Sequence, residues 1–308
     1  MPCRDFLPKR LPLRCEAYPD ESLNGFVQRL AKRNQLRWRD LIPGEDAPYP
    51  IMAADQELVA SLAAMADRDV DTLAAMDGCA LAATTSTDGQ GEGGGMDRLS
   101  WLSHSRGRYR AICPACVAER RYHRIWWELT IVRACAEHRC GLVTECPKCG
   151  VELEWRRSTL GACSCEKDFA TLPVTLWPEA RLHGTDYIAS RLNGDDPANA
   201  PVVLRGVPFP QALELIKFFG GLASAVAPWT VGDRRDEAFA DHLNAGLHAL
   251  ERRGKTLVRC VDRLEAHLAK QQTQRPMVAA WCSWMLETCP PSVWKILGMV
   301  RDRILPNP

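Results

Sequence analysis

Apolar residues recur along much of this chain every three or four positions. Leu23, Phe26, Val27 and Leu30 fall at i, i+3, i+4 and i+7, a stripe that predicts a helix over 20–34 with Asp20, Glu21 and Ser22 able to start it. Two more helices are predicted at 55–65, from Leu58, Leu62 and Met65, and at 69–82, from Val70, Leu73 and Ala74. The pattern then lapses: residues 84–96, TTSTDGQGEGGGM, offer no aliphatic side chain before Met96 and read as flexible coil. Residues 183–209, rich in Gly, Pro, Asp and Asn, read as a connector. Helical spacing returns at 210–227 (Leu213, Ile216, Phe219, Leu222), at 236–270 with a break near Gly254, at 276–288, and at 292–304 after Pro290 and Pro291. The expected fold is therefore mostly α, with strands confined to short hairpins in the middle. The predicted organisation is an N-terminal helical part at 1–83, a linker at 84–96, a middle domain at 97–182, a connector at 183–209 and a C-terminal helical domain at 210–308.

Cysteine changes that picture most. Of 14 in 308 residues, eight lie between 113 and 165. The N-terminus has charges and prolines where a secretory signal needs an apolar core. No run of about 18 apolar residues is present to span a membrane. The expectation is a cytoplasmic protein whose cysteines stay reduced, where clustered thiols most often mean metal. The first set is Cys113-Pro-Ala-Cys116, eighteen residues, then Cys135-Ala-Glu-His138; the second is Cys146-Pro-Lys-Cys149, thirteen residues, then Cys163-Ser-Cys165. Two residues between paired ligands let a tight turn present both side chains to one tetrahedral ion. Two structural Zn²⁺ ions stapling small β-hairpin modules are therefore expected. A thioredoxin-like CxxC would stand alone at a strand-to-helix junction, and a catalytic zinc would keep an open position. Cys140, two residues beyond His138, is expected to face elsewhere on the loop.

Charge is balanced overall, 39 Lys+Arg against 38 Asp+Glu, but segregated: net +4 over 1–40, −10 over 41–97, +5 over 98–170 and +2 over 171–308. Seven thiolates and two Zn²⁺ shift the chain from +1 to about −2, which suits a protein that bridges complexes better than one that coats DNA. Two basic, aromatic stretches stand out as candidate contact sites for nucleic acid or a partner: Arg37-Trp38-Arg39, and Arg120, Arg121, Arg124 and Trp127 in the run RRYHRIWWEL. An arginine–tryptophan cluster can grip phosphate and stack bases. The plainer alternative is that Trp126 and Trp127 cover a small core while the arginines are solvated. Since a helix rarely buries two neighbours on one face, Trp127 is the more interesting of the two. Trp281, Trp284 and Met285, at i, i+3 and i+4, read as helical core. Ala249-Leu-Glu-Arg-Arg-Gly254-Lys255-Thr256 satisfies a loose phosphate-loop pattern, but it follows a helix rather than a buried strand and is set aside.

ProAspGluSerLeu at 19–23 with Arg29-Leu30-Ala31, followed by CPAC at 113–116, Trp126 or Trp127, CAEHRCGL at 135–142 and CPKCG at 146–150, resembles the TniQ family of transposition target-selection proteins. The resemblance implies a non-enzymatic adaptor of a Tn-seven-like transposon, with a helix-turn-helix-like N-terminal part and zinc fingers; some members act as dimers. Its implied partners are a CRISPR effector with guide RNA, or attachment-site DNA, and an AAA+ ATPase of the TnsC or TniB type that engages the transposase. The alternative is a free-standing zinc-finger, DNA-binding regulator.

Overall fold

Ser22 starts the first helix, α1 (Leu23–Arg33), by accepting a hydrogen bond from the Gly25 amide at 3.2 Å, which satisfies one of the orphan donors of a helix start. Leu23, Phe26, Val27 and Leu30 are buried, the stripe read from their spacing. The structure, a computed structural model, describes residues 10–42, 51, 54–78, 105–195, 197, 200–224, 238–251 and 255–304; residues 84–96 lie outside them. A short α2 (Trp38–Leu41) follows. Asp55 caps α3 (Gln56–Ala66) through the Leu58 amide at 2.8 Å, and Asp69 caps α4 (Val70–Ala74) through the Thr72 amide at 3.1 Å. This last helix ends at Ala74, within the predicted 69–82, of which residues 79–82 lie outside the described residues.

The N-terminal helices and the cysteine-rich middle do not fold as separate parts. The described residues of Met1–Thr84 and Arg98–Glu179 form one compact unit, and those of Ala180–Pro308 a second. In the first unit Phe26, Leu30, Leu41, Leu62 and Leu73 share a core with Trp155 and Leu160 of the middle segment. Main-chain bonds reinforce this. The Ser22 amide donates to the His123 carbonyl and the Ile125 amide to that of Asp20, both at 2.8 Å. Gly25 lies in this seam, where an added Cβ would come within 2.9 Å of the His123 Cβ. Only glycine lets the backbones approach so closely.

In the middle segment Pro114 opens a short helix, α5 (Pro114–Glu119), where the missing N–H of proline costs nothing. A 3₁₀ turn spans Ile125–Glu128. It explains why both tryptophans are buried, Trp126 at 1% and Trp127 at 0% exposure: in so short a tightened turn, the one-face limit of a long helix does not apply. Strands β1 (Ala134–Cys135) and β2 (Cys140–Gly141) pair antiparallel, Cys135 opposite Cys140.

The second unit is helical: α6 (His183–Leu192), α7 (Phe209–Ala223), α8 (Ala238–Glu251), α9 (Lys255–Lys270), α10 (Arg275–Thr288) and α11 (Pro291–Ile304). The segment expected as a connector thus holds α6, whose Tyr187, Ile188 and Leu192 are buried despite the polar composition around them. Gly220 of α7 and Gly246 of α8 meet at a close crossing; a Cβ on either would fall about 2 Å from a backbone oxygen of the other helix. Trp281 stacks on Phe218 at 4.3 Å between ring centroids, consistent with its reading as a packing residue. No described helix is long and apolar enough to cross a membrane.

Candidate metal centres and the surfaces around them

Cys113 and Cys116 sit at the start of α5, Cys113 as its N-cap and Cys116 one turn on, so both thiols point out of a single helical turn. Cys135 ends β1, and His138 lies in the turn to β2. The four donor atoms of Cys113, Cys116, Cys135 and His138 lie within 4.8 Å of one another; the Cys116 sulfur is 3.1 Å from His138 Nδ1 and 3.6 Å from the Cys135 sulfur. On its far side His138 donates from Nε2 to Glu119 Oε1 at 2.8 Å. That contact fixes the tautomer that turns Nδ1 toward the sulfurs, the usual carboxylate–histidine arrangement behind a zinc ion. The set fits one Zn²⁺. Hydrogen bonds from the thiols of Cys113 and Cys116 hold Cys135 far below its ordinary value, while those with Cys113 and Cys135, together with burial, push Cys116 up. Metal binding requires these thiols as thiolates, so a bound ion is lost to protons as pH falls.

Cys140 does not face elsewhere. It is buried, and its sulfur lies 3.5 Å from that of Cys113, because pairing opposite Cys135 carries it to the same end of the hairpin. It stands beside the four-ligand set without belonging to it.

The second set, Cys146, Cys149, Cys163 and Cys165, also brings its four sulfurs within 4.8 Å of one another. Gly150, at φ +68°, closes the first turn, its amide donating to the Cys146 carbonyl at 2.8 Å. The tight Cys163-Ser-Cys165 pair is accommodated because the chain reverses at Glu166, φ +66°, whose amide donates to the Cys163 carbonyl. This set fits a Zn²⁺ ion with four thiolates, a centre of net charge about −2. Cys149 is exposed and Cys165 half-buried. Ile112, Val117, Leu153 and Phe169 pack with Cys146 and Cys163 in one small core.

A buried polar network joins the first set to α1. Ser22 Oγ meets His123 Nδ1 at 3.1 Å, and His123 Nε2 meets the Ala111 carbonyl at 3.0 Å; burial, then the Arg110 charge, holds His123 well below its ordinary pKa, so it is neutral. Asn24 donates to Glu128 at 3.1 Å and to the Ile51 carbonyl at 3.0 Å. Burial of its carboxyl group pushes Glu128 up to about 7, against hydrogen bonds from Asn24 and Ser22 that favour the charged form. Glu21, wholly buried, pairs with Arg29 at 2.6 Å. The Glu-Ser-Leu and Arg-Leu-Ala segments are thus the inner face of a seam.

The candidate contact residues fare differently. Trp127 has no exposed surface and cannot meet a partner. Arg124, 12% exposed at its side chain, is ion-paired with Asp20 and with Glu137, and Arg121 pairs with Asp168 at 2.9 Å. Arg120 is exposed, its guanidinium 5.8 Å from the Tyr18 ring centroid. Arg37 pairs with Asp40 at 2.9 Å; Arg39 is exposed and lies over half-buried Trp38. Arg37, Trp38 and Arg39 line a groove of about 530 Å³ whose other wall is the loop carrying Arg156, Arg157 and Ser164. Sequence reasoning missed Glu119, although its place three residues after Cys116 on one helix was a signal, and it missed Arg156 and Arg157, whose basic pair after Trp155 was another.

The TniQ family model matches residues 12–142. The matched stretch contains α1 through β2 and all four residues of the first metal set; the second set lies beyond it. Among curated proteins, none matches the chain significantly.

Proposed function

We propose, from the match of the TniQ family model to residues 12–142, that this chain is a non-catalytic adaptor in DNA transposition. It links a target-recognition complex, a CRISPR effector with its guide RNA or attachment-site DNA, to an AAA+ ATPase of the TnsC or TniB type, and through it to the transposase. The observation that carries this reading is the enclosure, within one matched stretch, of the Glu-Ser-Leu helix, the complete Cys₃His set and the buried seam between them. The seam joins helices and finger into one compact unit with a shared core, which suits a bridging protein that holds two partners at a fixed spacing. The two metal sets serve as staples for that unit. A net charge near −2 with zinc bound fits binding through partners rather than through bulk attraction to DNA.

Co-purification of the zinc-loaded chain with the ATPase encoded in its own genomic neighbourhood tests the reading. A stable complex that also retains effector and guide RNA is expected. An ATPase that never associates, alongside tight sequence-specific duplex binding by the isolated chain, would replace the adaptor with the DNA-binding regulator.

A further inference from the structure

The groove between the end of α1, α2 and the loop 155–164 presents cations and no carboxylate: Lys32, Arg37, Arg39, Arg156 and Arg157 are among its lining residues, and no Asp or Glu is. Asp40 and Glu154, which pair with Arg37 and Arg157, are not part of the lining. Lys32 is exposed and has no ion pair among the described residues. At the centre is an indole. The guanidinium of Arg39 lies 5.3 Å from the Trp38 ring centroid and that of Arg156 lies 5.9 Å from it. Trp38 packs partly against the core of the first unit, which fixes the ring without burying it. Buried Trp155 and Leu160 complete the inner part of the groove.

We propose that this groove seats an unpaired nucleotide of a single-stranded nucleic acid, its base stacked at Trp38 and its phosphates held by Arg39, Arg156 and Lys32. A fixed aromatic plane among several cations is the combination by which single strands are held without base-edge readout. The shape decides against a duplex. A duplex is read by a convex element entering its groove, whereas this is a recess with a volume in the roughly 300–1,000 Å³ range of small-ligand sites. Chemistry decides against an acidic peptide, whose carboxylates would use the cations and leave the indole unexplained. The wall bearing Arg156 and Arg157 lies outside the stretch matched by the family, and the second metal set anchors it through Cys163, itself a lining residue. The proposal rests on the adaptor reading only in supplying the natural source of the strand, the unpaired part of a guide RNA or a displaced DNA strand.

Binding of fluorescein-labelled 12-nucleotide RNA, DNA of the same sequence and the corresponding duplex to the full zinc-loaded chain, followed by anisotropy over a salt series, tests it. Single strands are expected to bind at least tenfold tighter than duplex. Arg39→Glu combined with Arg156→Glu, both exposed positions, should weaken single-strand binding more than tenfold and flatten the log–log salt slope by about 1.4. Trp38→Ala should weaken it about five- to 150-fold, with Trp38→Phe restoring most of the loss. Zinc content and thermal midpoint of the charge-reversal variant should match those of the unaltered chain. RNA favoured over DNA assigns a guide as the source, and DNA favoured assigns a displaced strand. Duplex preference, equal binding by the charge-reversal chain, or displacement of the strand by poly-glutamate that Trp38→Ala does not alter would overturn the proposal. The adaptor reading fails separately: a chain that binds single strands but never captures the ATPase keeps the groove and loses the bridge, and the reverse result loses the groove alone.

Discussion

The two metal sets use the same Cys-Pro-x-Cys opening, yet they occupy opposite kinds of place. In the first, the three sulfurs are buried, a carboxylate stands behind the histidine, and Glu137 of the turn that carries His138 pairs with Arg124, which also pairs with Asp20 just before α1. In the second, Cys149 is exposed, Cys165 is half-buried and Cys163 lies along a groove open to a ligand. The opening pairs alone make the two look equivalent; their surroundings make one a keystone of the unit and the other a support for a working surface.

The largest effect that would break this comparison comes from replacing one thiol in each set. Cys116→Ser leaves a poor ligand in a buried position that water cannot reach, so zinc is released and its contribution of about 10 kcal/mol or more to folding goes with it. That is comparable to the whole stability of an ordinary domain, and loss of the cooperative transition of the first unit, followed by circular dichroism, is expected. Cys149→Ser opens a position that solvent can fill, as water does in three-ligand zinc sites. The zinc should stay, bound more weakly, and the melting midpoint should fall by about 5–15 °C. Equal loss from the two substitutions would erase the distinction.

A smaller effect probes the seam by pH. The folded pKa of Glu128 is raised from 4.5 to about 7, so the neutral carboxyl is the form the fold prefers. Its stabilising contribution is present below about pH 4.5 and is lost as pH rises toward 7. Glu128→Gln, which keeps a hydrogen-bonding side chain without the charge, should remove that part of the slope of stability against pH between about 4.5 and 7, a difference on the order of 3 kcal/mol. Denaturant titrations of both chains across that interval measure it; parallel slopes would show that Glu128 does not titrate within the fold.

What could be read from sequence was what is local. The α1 stripe, its Ser22 cap and the ligand pairs depend on spacings of one to four residues, and each came through. The relation of α1 to the finger did not, because Ser22 and His123 are about a hundred positions apart and nothing in either segment announces the pairing. Residues 183–192 misled by the composition of the longer stretch 183–209, whose Gly, Pro, Asp and Asn outweighed Tyr187, Ile188 and Leu192, which tertiary packing recruited to a helix. The arginines of 120–124 looked available because their carboxylate partners, Asp20, Glu137 and Asp168, are distant in the chain or, as with Glu137, across a turn. The groove was half legible, one wall in Arg37-Trp38-Arg39 and the other in a loop that only the fold brings opposite.

The central claim is that each set holds its own metal ion and that the ions are structural. Elemental analysis of the full chain purified without added metal, run beside a thermal melt of the same sample, tests it most directly. Two zinc ions per folded chain are predicted; a chain that melts cooperatively with one zinc or none would contradict the account.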